Sequence, residues 1–313
     1  MDTVLEYDND LDNTSFPNDS IEYDNTFDYE SQNNVNVLYR LILVLICLSG
    51  AVGNGVVIRL LGFHIKKNPF IIYILNLAVA DLGVLVSATF HAVNFLLIFH
   101  YGFRITYALF MALFLLTYST SQFLLTAISI DRCVAVFFPL WHKCHQPTCL
   151  SSVVCALIWV LSFLLTAVTY TLRFTGYFGI EVHFQYIVNG LLCLPIMTVT
   201  TVALFIKLRL KARQHQRRKL LTVILLTLVF FLFFAFPLNT MFILFYFDIF
   251  YFSHFTEYIL YSVILLACLN SSVNPAIYTL VGRQRKSRCK ENMKMILQKV
   301  FKEEEGCTES NHT

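Results

Sequence analysis

Asp131 and Arg132 stand side by side at the end of a long apolar stretch, in the run SIDRCVAVFFPLWHKCHQP at 129–147. A charged pair at the edge of a hydrophobic segment is costly, so its presence there asks for an explanation. A second acid, Asp81 in LNLAVADLG, lies near the middle of another apolar stretch. Polar groups that could reach it from elsewhere are Asn54 in GNGVV, Ser121, and Asn270 and Asn274 in NSSVNPAIY. A carboxylate among amide and hydroxyl oxygens suits Na+ or a proton, and it equally suits a structural network between helices; an ionisable group in hydrocarbon is a functional hypothesis by default. HKCHQPTC at 142–149 brings His142, Cys144, His145 and Cys149 together. Its spacing matches no standard zinc finger and no second ligand cluster accompanies it, so no metal beyond the candidate Na+ is expected. No set of residues suggests catalysis.

These polar positions are held by an unusually apolar chain. Of 313 residues, 57% are hydrophobic and 14% charged, with 30 Phe and 16 Tyr, against about 25% charged in soluble domains. Seven apolar runs cover about 37–61, 70–98, 105–138, 150–172, 183–208, 219–247 and 255–281. Each is long enough, as a helix, to cross a hydrocarbon core of roughly 30 Å, and each must be helical to satisfy its backbone within lipid. The expected fold is an all-α membrane protein, a seven-helix bundle over 37–281. Pro195, Pro237 and Pro275 fall inside runs, where membrane helices accept them as kinks.

Lys and Arg set the orientation. With the N-terminus outside, 20 of 23 bases face the cytoplasm and only Arg40, Arg104 and Arg173 face out. A plasma-membrane protein with its N-terminus outside and its C-terminus inside is expected. Residues 1–36 show no basic n-region or apolar h-region, so the first membrane helix is expected to act as its own signal.

The ends differ in charge. Residues 1–30 hold ten acids and no Lys or Arg, so the remainder carries 23 bases against ten acids. Residues 1–36 are expected to be a disordered acidic tail, either merely solvated or a collector of cationic ligands. Tyr7, Tyr23 and Tyr29 lie between acids and are candidates for sulfation; Asn13 and Asn18 begin glycosylation acceptor sequences. Residues 282–302 are basic, with Met293, Ile296, Leu297 and Val300 on one helical face. A short helix on the inner leaflet, touching membrane lipids, is expected there. Cys289 is a palmitoylation candidate, and 303–313 form a short cytoplasmic tail. None of the nine cysteines falls in an outer loop or in the tail, so no disulfide is expected.

Gly53-Asn54, LAVAD around Asp81, Asp131-Arg132, Trp159, Pro195, Pro237 and NPAIY at 274–278 resemble, in order and spacing, the rhodopsin-like G-protein-coupled receptors. Within that class, NPFIIYILNLAVADL, LTAISIDRCVAVFFPLWHKCHQP and LSSVVCALIWVLS look like the Mas-related receptors. The resemblance implies that Arg132 is restrained by Asp131 at rest and released toward a heterotrimeric G protein, that Pro237 is the pivot of the sixth helix, and that Tyr278, beside Asn274 and Pro275, turns inward in the open state. It further implies a sodium-linked network of Asn54, Asp81, Ser121, Asn270 and Asn274, and arrestin as a candidate partner.

The chain departs from the class pattern in lacking an outer-end cysteine on the third helix, in carrying Ala235 where a tryptophan is usual, and in offering only bases in HQRRKLL for Arg132. A retinal receptor needs a seventh-helix Lys, absent from 255–281, and an amine receptor needs an acid in the third helix, absent from 105–130. The favoured ligand is a cationic or amphipathic peptide, with Glu181, His183, Asp248 and Glu257 as rim candidates. A non-signalling receptor, a receptor for a small non-peptide ligand and, more remotely, a transporter or channel are the competing readings. Nucleic acid is not an expected partner.

Overall fold

Along the first membrane run, Leu43, Cys47, Gly50, Asn54, Val57 and Leu61 are buried, whereas Leu41, Leu45, Leu48 and Val52 are exposed. Steps of four and three residues define one helical face turned to protein, and the opposite face is left for lipid. In the computed structural model this helix, α1, spans Asp19–Phe63. The remaining helices with defined bounds are α2 (Pro69–Leu97), α3 (Arg104–Phe137), α4 (Leu150–Phe174) and α5 (Glu181–Leu210). Helical residues within 225–244 constitute α6, and α7 covers His254–Gly282. The structure describes residues 19–63, 69–97, 104–139, 142, 147, 149–174, 181–210, 225–226, 229–230, 233–234, 237–241, 243–244 and 254–282; within these, the side chains of 19–35, 94–97, 104–105, 107, 173–174, 181–183, 208–210, 254–258, 260 and 278–282 are outside the description.

Among the described residues, five helices are long and apolar enough to cross a membrane: Asn36–Phe63, Pro69–Val93, Ala108–Phe137, Leu150–Leu172 and Phe184–Lys207. A shorter apolar stretch, Tyr261–Ile277, lies in α7. The first five of the seven expected runs coincide with these five helices to within five residues at either end. Pro195 and Pro275 sit inside α5 and α7 without ending them.

Two units divide the chain, Met1–Tyr39 and Arg40–Thr313. In the first, the backbone is helical from Asp19 onward. Once a helix exists, adding a residue to its end avoids the nucleation penalty, and polar sequence can be carried along with it.

In the second unit, α3 packs against α2, α4 and α5, and α2 also meets α4 and α7. Every residue of α3 from 117 to 126 is buried, which marks it as the central helix. Small residues let its neighbours approach. A Cβ built on Gly83 of α2 would collide with the Thr117 side chain, and one on Gly50 would collide with Ser272 of α7. Gly55 has open space around it. Gly83→Ala is therefore expected to destabilise by about 1–3 kcal/mol, read as a lower thermal midpoint of the detergent-solubilised protein, while Gly55→Ala changes it little. Equal midpoints for the two variants would contradict this packing.

Candidate functional site

Asp81 of α2 is fully buried, with no exposed surface. Its Oδ1 accepts hydrogen bonds from Ser121 Oγ of α3 at 2.8 Å and Ser271 Oγ of α7 at 3.0 Å; its Oδ2 accepts one from Asn274 Nδ2 at 2.7 Å. A buried carboxylate is tolerated only when its oxygens are met in this way. Asn54 of α1 joins from one bond further out, donating to the Ser271 carbonyl at 2.9 Å and to Gly50 O at 3.0 Å. Ser271 and Asn274 share a face of α7 because three residues make nearly one turn. Gly53 lets α1 lie close to this face: its Cβ would be 3.2 Å from the Pro275 ring.

One expected member changes. Asn270 is buried but makes no hydrogen bond to Asp81 among the described residues; Ser271 fills that role. Successive helix residues differ by about 100° in direction, and the run NSS offered both types, so residue chemistry alone could not choose between them.

At the C-terminal end of α3, Arg132 Nε and Nη2 both donate to Asp131 Oδ2, at 3.0 and 2.7 Å. The guanidinium is stacked on Phe70, 4.1 Å from its ring centroid, at the start of α2. Charge pairing and a face-on aromatic contact both favour this position. The chain continues in helical turns past α3, with Phe138 N–H donating to Val134 O and His142 N–H to Phe138 O. These turns bring His142 Nε2 to 3.5 Å from Asp131 Oδ1, an ion pair when the imidazole is protonated. Phe70 and His142 were not assigned to this site from sequence. Nothing in the order of residues connects them to Asp131, and among the described residues no group of three or more His, Cys, Asp or Glu could hold a metal.

A further polar cluster occupies the α3–α4–α5 interface. Gln185 Nε2 of α5 donates to Ser119 Oγ at 2.7 Å and to Thr166 Oγ1 of α4 at 3.1 Å, and Asn189 Nδ2 donates to Ser119 Oγ at 2.7 Å. The available signal was the polar run TYSTSQ at 117–122 inside an apolar helix. Trp159 Nε1 of α4 donates to Asn76 Oδ1 of α2 at 3.1 Å.

Other expected positions are less fully described. Pro237 is helical and half-buried in α6. Tyr278, Glu181, His183 and Glu257 lie on helical backbone, with side chains outside the described residues; Tyr23 and Tyr29 fall likewise within α1. Tyr7, Asn13, Asn18, Asp248, Ala235, Cys289 and the segments 283–302 and 303–313 lie outside the described residues altogether.

Residues 53–278 match the 7 transmembrane receptor (rhodopsin family). The chain is 35% identical over 268 residues to the Proto-oncogene Mas of Mus musculus, covering 82% of this chain and 81% of the relative. It is 37% identical over 288 residues to the Mas-related G-protein coupled receptor member F of Homo sapiens, covering 84% and 78%. To the Mas-related G-protein coupled receptor member D of Homo sapiens it is 33% identical over 304 residues, covering 92% and 93%.

Proposed function

The chain belongs to the rhodopsin family of seven-transmembrane receptors and resembles its Mas-related members, and on that premise we propose that it binds an extracellular cationic or amphipathic peptide and activates a heterotrimeric G protein at the plasma membrane. It is a signalling receptor and not an enzyme. The observation that carries the coupling is the Arg132 site. A buried guanidinium held by Asp131 and stacked on Phe70 is a contact that can be exchanged for a partner at the cytoplasmic surface. The names of the relatives, G-protein coupled receptors, support the same reading. Orientation with the N-terminus outside is supported by the concentration of Lys and Arg in the segments assigned to the cytoplasm.

For the ligand, support comes from the ten acids within residues 1–30. Such a field reaches about 8 Å at physiological salt, so it acts on encounter more than on residence. Capture by the tail then precedes seating in the bundle.

Asp81 with the Ser121 and Ser271 hydroxyls offers the hard oxygen donors that Na+ prefers, and these residues would hold it. Asn274 presents an N–H to the carboxylate and would orient it. When bound, Na+ supplies the positive charge that a buried carboxylate otherwise lacks. An ion that favours the resting arrangement weakens an agonist that favours the active one, and reciprocally.

Arg132→Ala is expected to abolish agonist-driven nucleotide exchange at near-normal surface expression; unimpaired exchange would remove the assigned role. Asp81→Asn should erase the difference in agonist affinity between Na+ and a large inert cation, a difference the unmodified protein must display if the site binds the ion. Deleting residues 2–30 should slow peptide association, most clearly at low ionic strength, and reduce potency without lowering maximal response. Association that ignores both truncation and salt would leave the tail as a solvated leader.

A further inference from the structure

Asn239 of α6 lies two residues beyond Pro237, and its Nδ2 donates to Gln122 Oε1 of α3 at 3.3 Å. Both residues are buried, Gln122 with 1% and Asn239 with no exposed surface. This is a direct side-chain bond between the central helix and the helix carrying the proposed pivot. On α5, a Cβ at Gly190 would lie 3.5 Å from Asn239 Cβ, so three helices converge here. The Gln122 side chain also hydrogen-bonds the Tyr118 side chain within α3, while Asn189 Oδ1 on α5 has no hydrogen-bond partner among the described residues. Gln122 and Asn189 are both more than nine-tenths buried. An unsatisfied group of this kind is costly, and it offers a rotated α6 a new partner.

The position of Gln122 adds a connection. Its neighbour Ser121 is bonded to Asp81, so one peptide unit of α3 separates the carboxylate network from the α3–α6 contact.

We propose that the Gln122–Asn239 hydrogen bond is the latch that holds α6 against α3 while Arg132 is paired with Asp131, and that breaking it releases α6 toward the coupling-competent conformation. The latch rests on the G-protein reading above and adds two positioning residues to it. Because the bond is present in the conformation with Arg132 engaged, it lowers the free energy of that conformation relative to any in which α6 has turned away. One buried neutral hydrogen bond shifts such an equilibrium by about three- to tenfold.

The test is ligand-free nucleotide exchange on a purified heterotrimer, using membranes containing the full chain and normalised to receptor number. Gln122→Met and Asn239→Leu are each expected to raise basal exchange about three- to tenfold, and the double variant to rise no further than the larger single effect, since both remove the same bond. Thr120→Val, which deletes a hydroxyl bonded among the described residues to Leu116 O within α3, should leave basal exchange unchanged and so separates the latch from general loosening. If Gln122→Met does not reach the membrane, Asn239→Leu removes the bond from the α6 side with the same expectation. Asp131→Asn serves as the reference, expected to raise basal exchange by freeing Arg132. Basal exchange raised by Asp131→Asn but not by the latch variants, or latch effects that add in the double variant, would overturn the latch alone. No exchange from any form, even with agonist, would overturn the coupling reading and the latch with it.

Discussion

The need to satisfy one carboxylate organises much of this bundle. Asp81 is fully buried in an apolar environment, where an unmet charge would be prohibitive. Its two oxygens receive three hydrogen bonds from α3 and α7, and the Ser271 carbonyl extends the network to Asn54 on α1. Gly50 and Gly53 of α1 leave room for the Ser272 and Pro275 side chains of α7 beside this network. In hydrocarbon there is little hydrophobic drive for helices to associate, so small residues and interhelical hydrogen bonds supply much of the cohesion.

The same logic explains the central helix. From 117 to 126 α3 is buried all round, yet it carries Thr117, Ser119, Thr120, Ser121 and Gln122. Ser121 faces Asp81, Ser119 faces Gln185 and Asn189, and Gln122 faces Asn239. One short stretch thus addresses α2, α5 and α6 in different directions. A displacement felt on one side of α3 must be accommodated on the others, and this gives a packed bundle discrete alternatives rather than a continuous range.

Arg132 lies near the C-terminal end of that helix. Its charge is compensated by Asp131 and its planar face by Phe70. His142, carried back by the helical turns after α3, approaches the other carboxylate oxygen of Asp131. The acid is therefore shared between two bases, while HQRRKLL at 215–221 supplies no further acid for Arg132. The contacts described for Arg132 involve Asp131 of α3 and Phe70 at the start of α2, and the proposed α3–α6 latch acts at a separate depth of the bundle.

Apolar run length and the Lys and Arg distribution determined the all-helical architecture, the approximate spans and the expected orientation, because a bilayer imposes length and backbone satisfaction on any chain that crosses it. Asp81 and Asp131-Arg132 were legible as sites for a related reason: charge in an apolar run is expensive and has to be used. Tertiary structure decided which side chains meet. It selected Ser271 over its neighbour Asn270, paired Asn239 with Gln122 across 117 residues of sequence, and brought Phe70 and His142 to the Arg132 site. A helix points adjacent residues about 100° apart, so small differences in rotation, set by glycine contacts with other helices, determine which polar group reaches a partner.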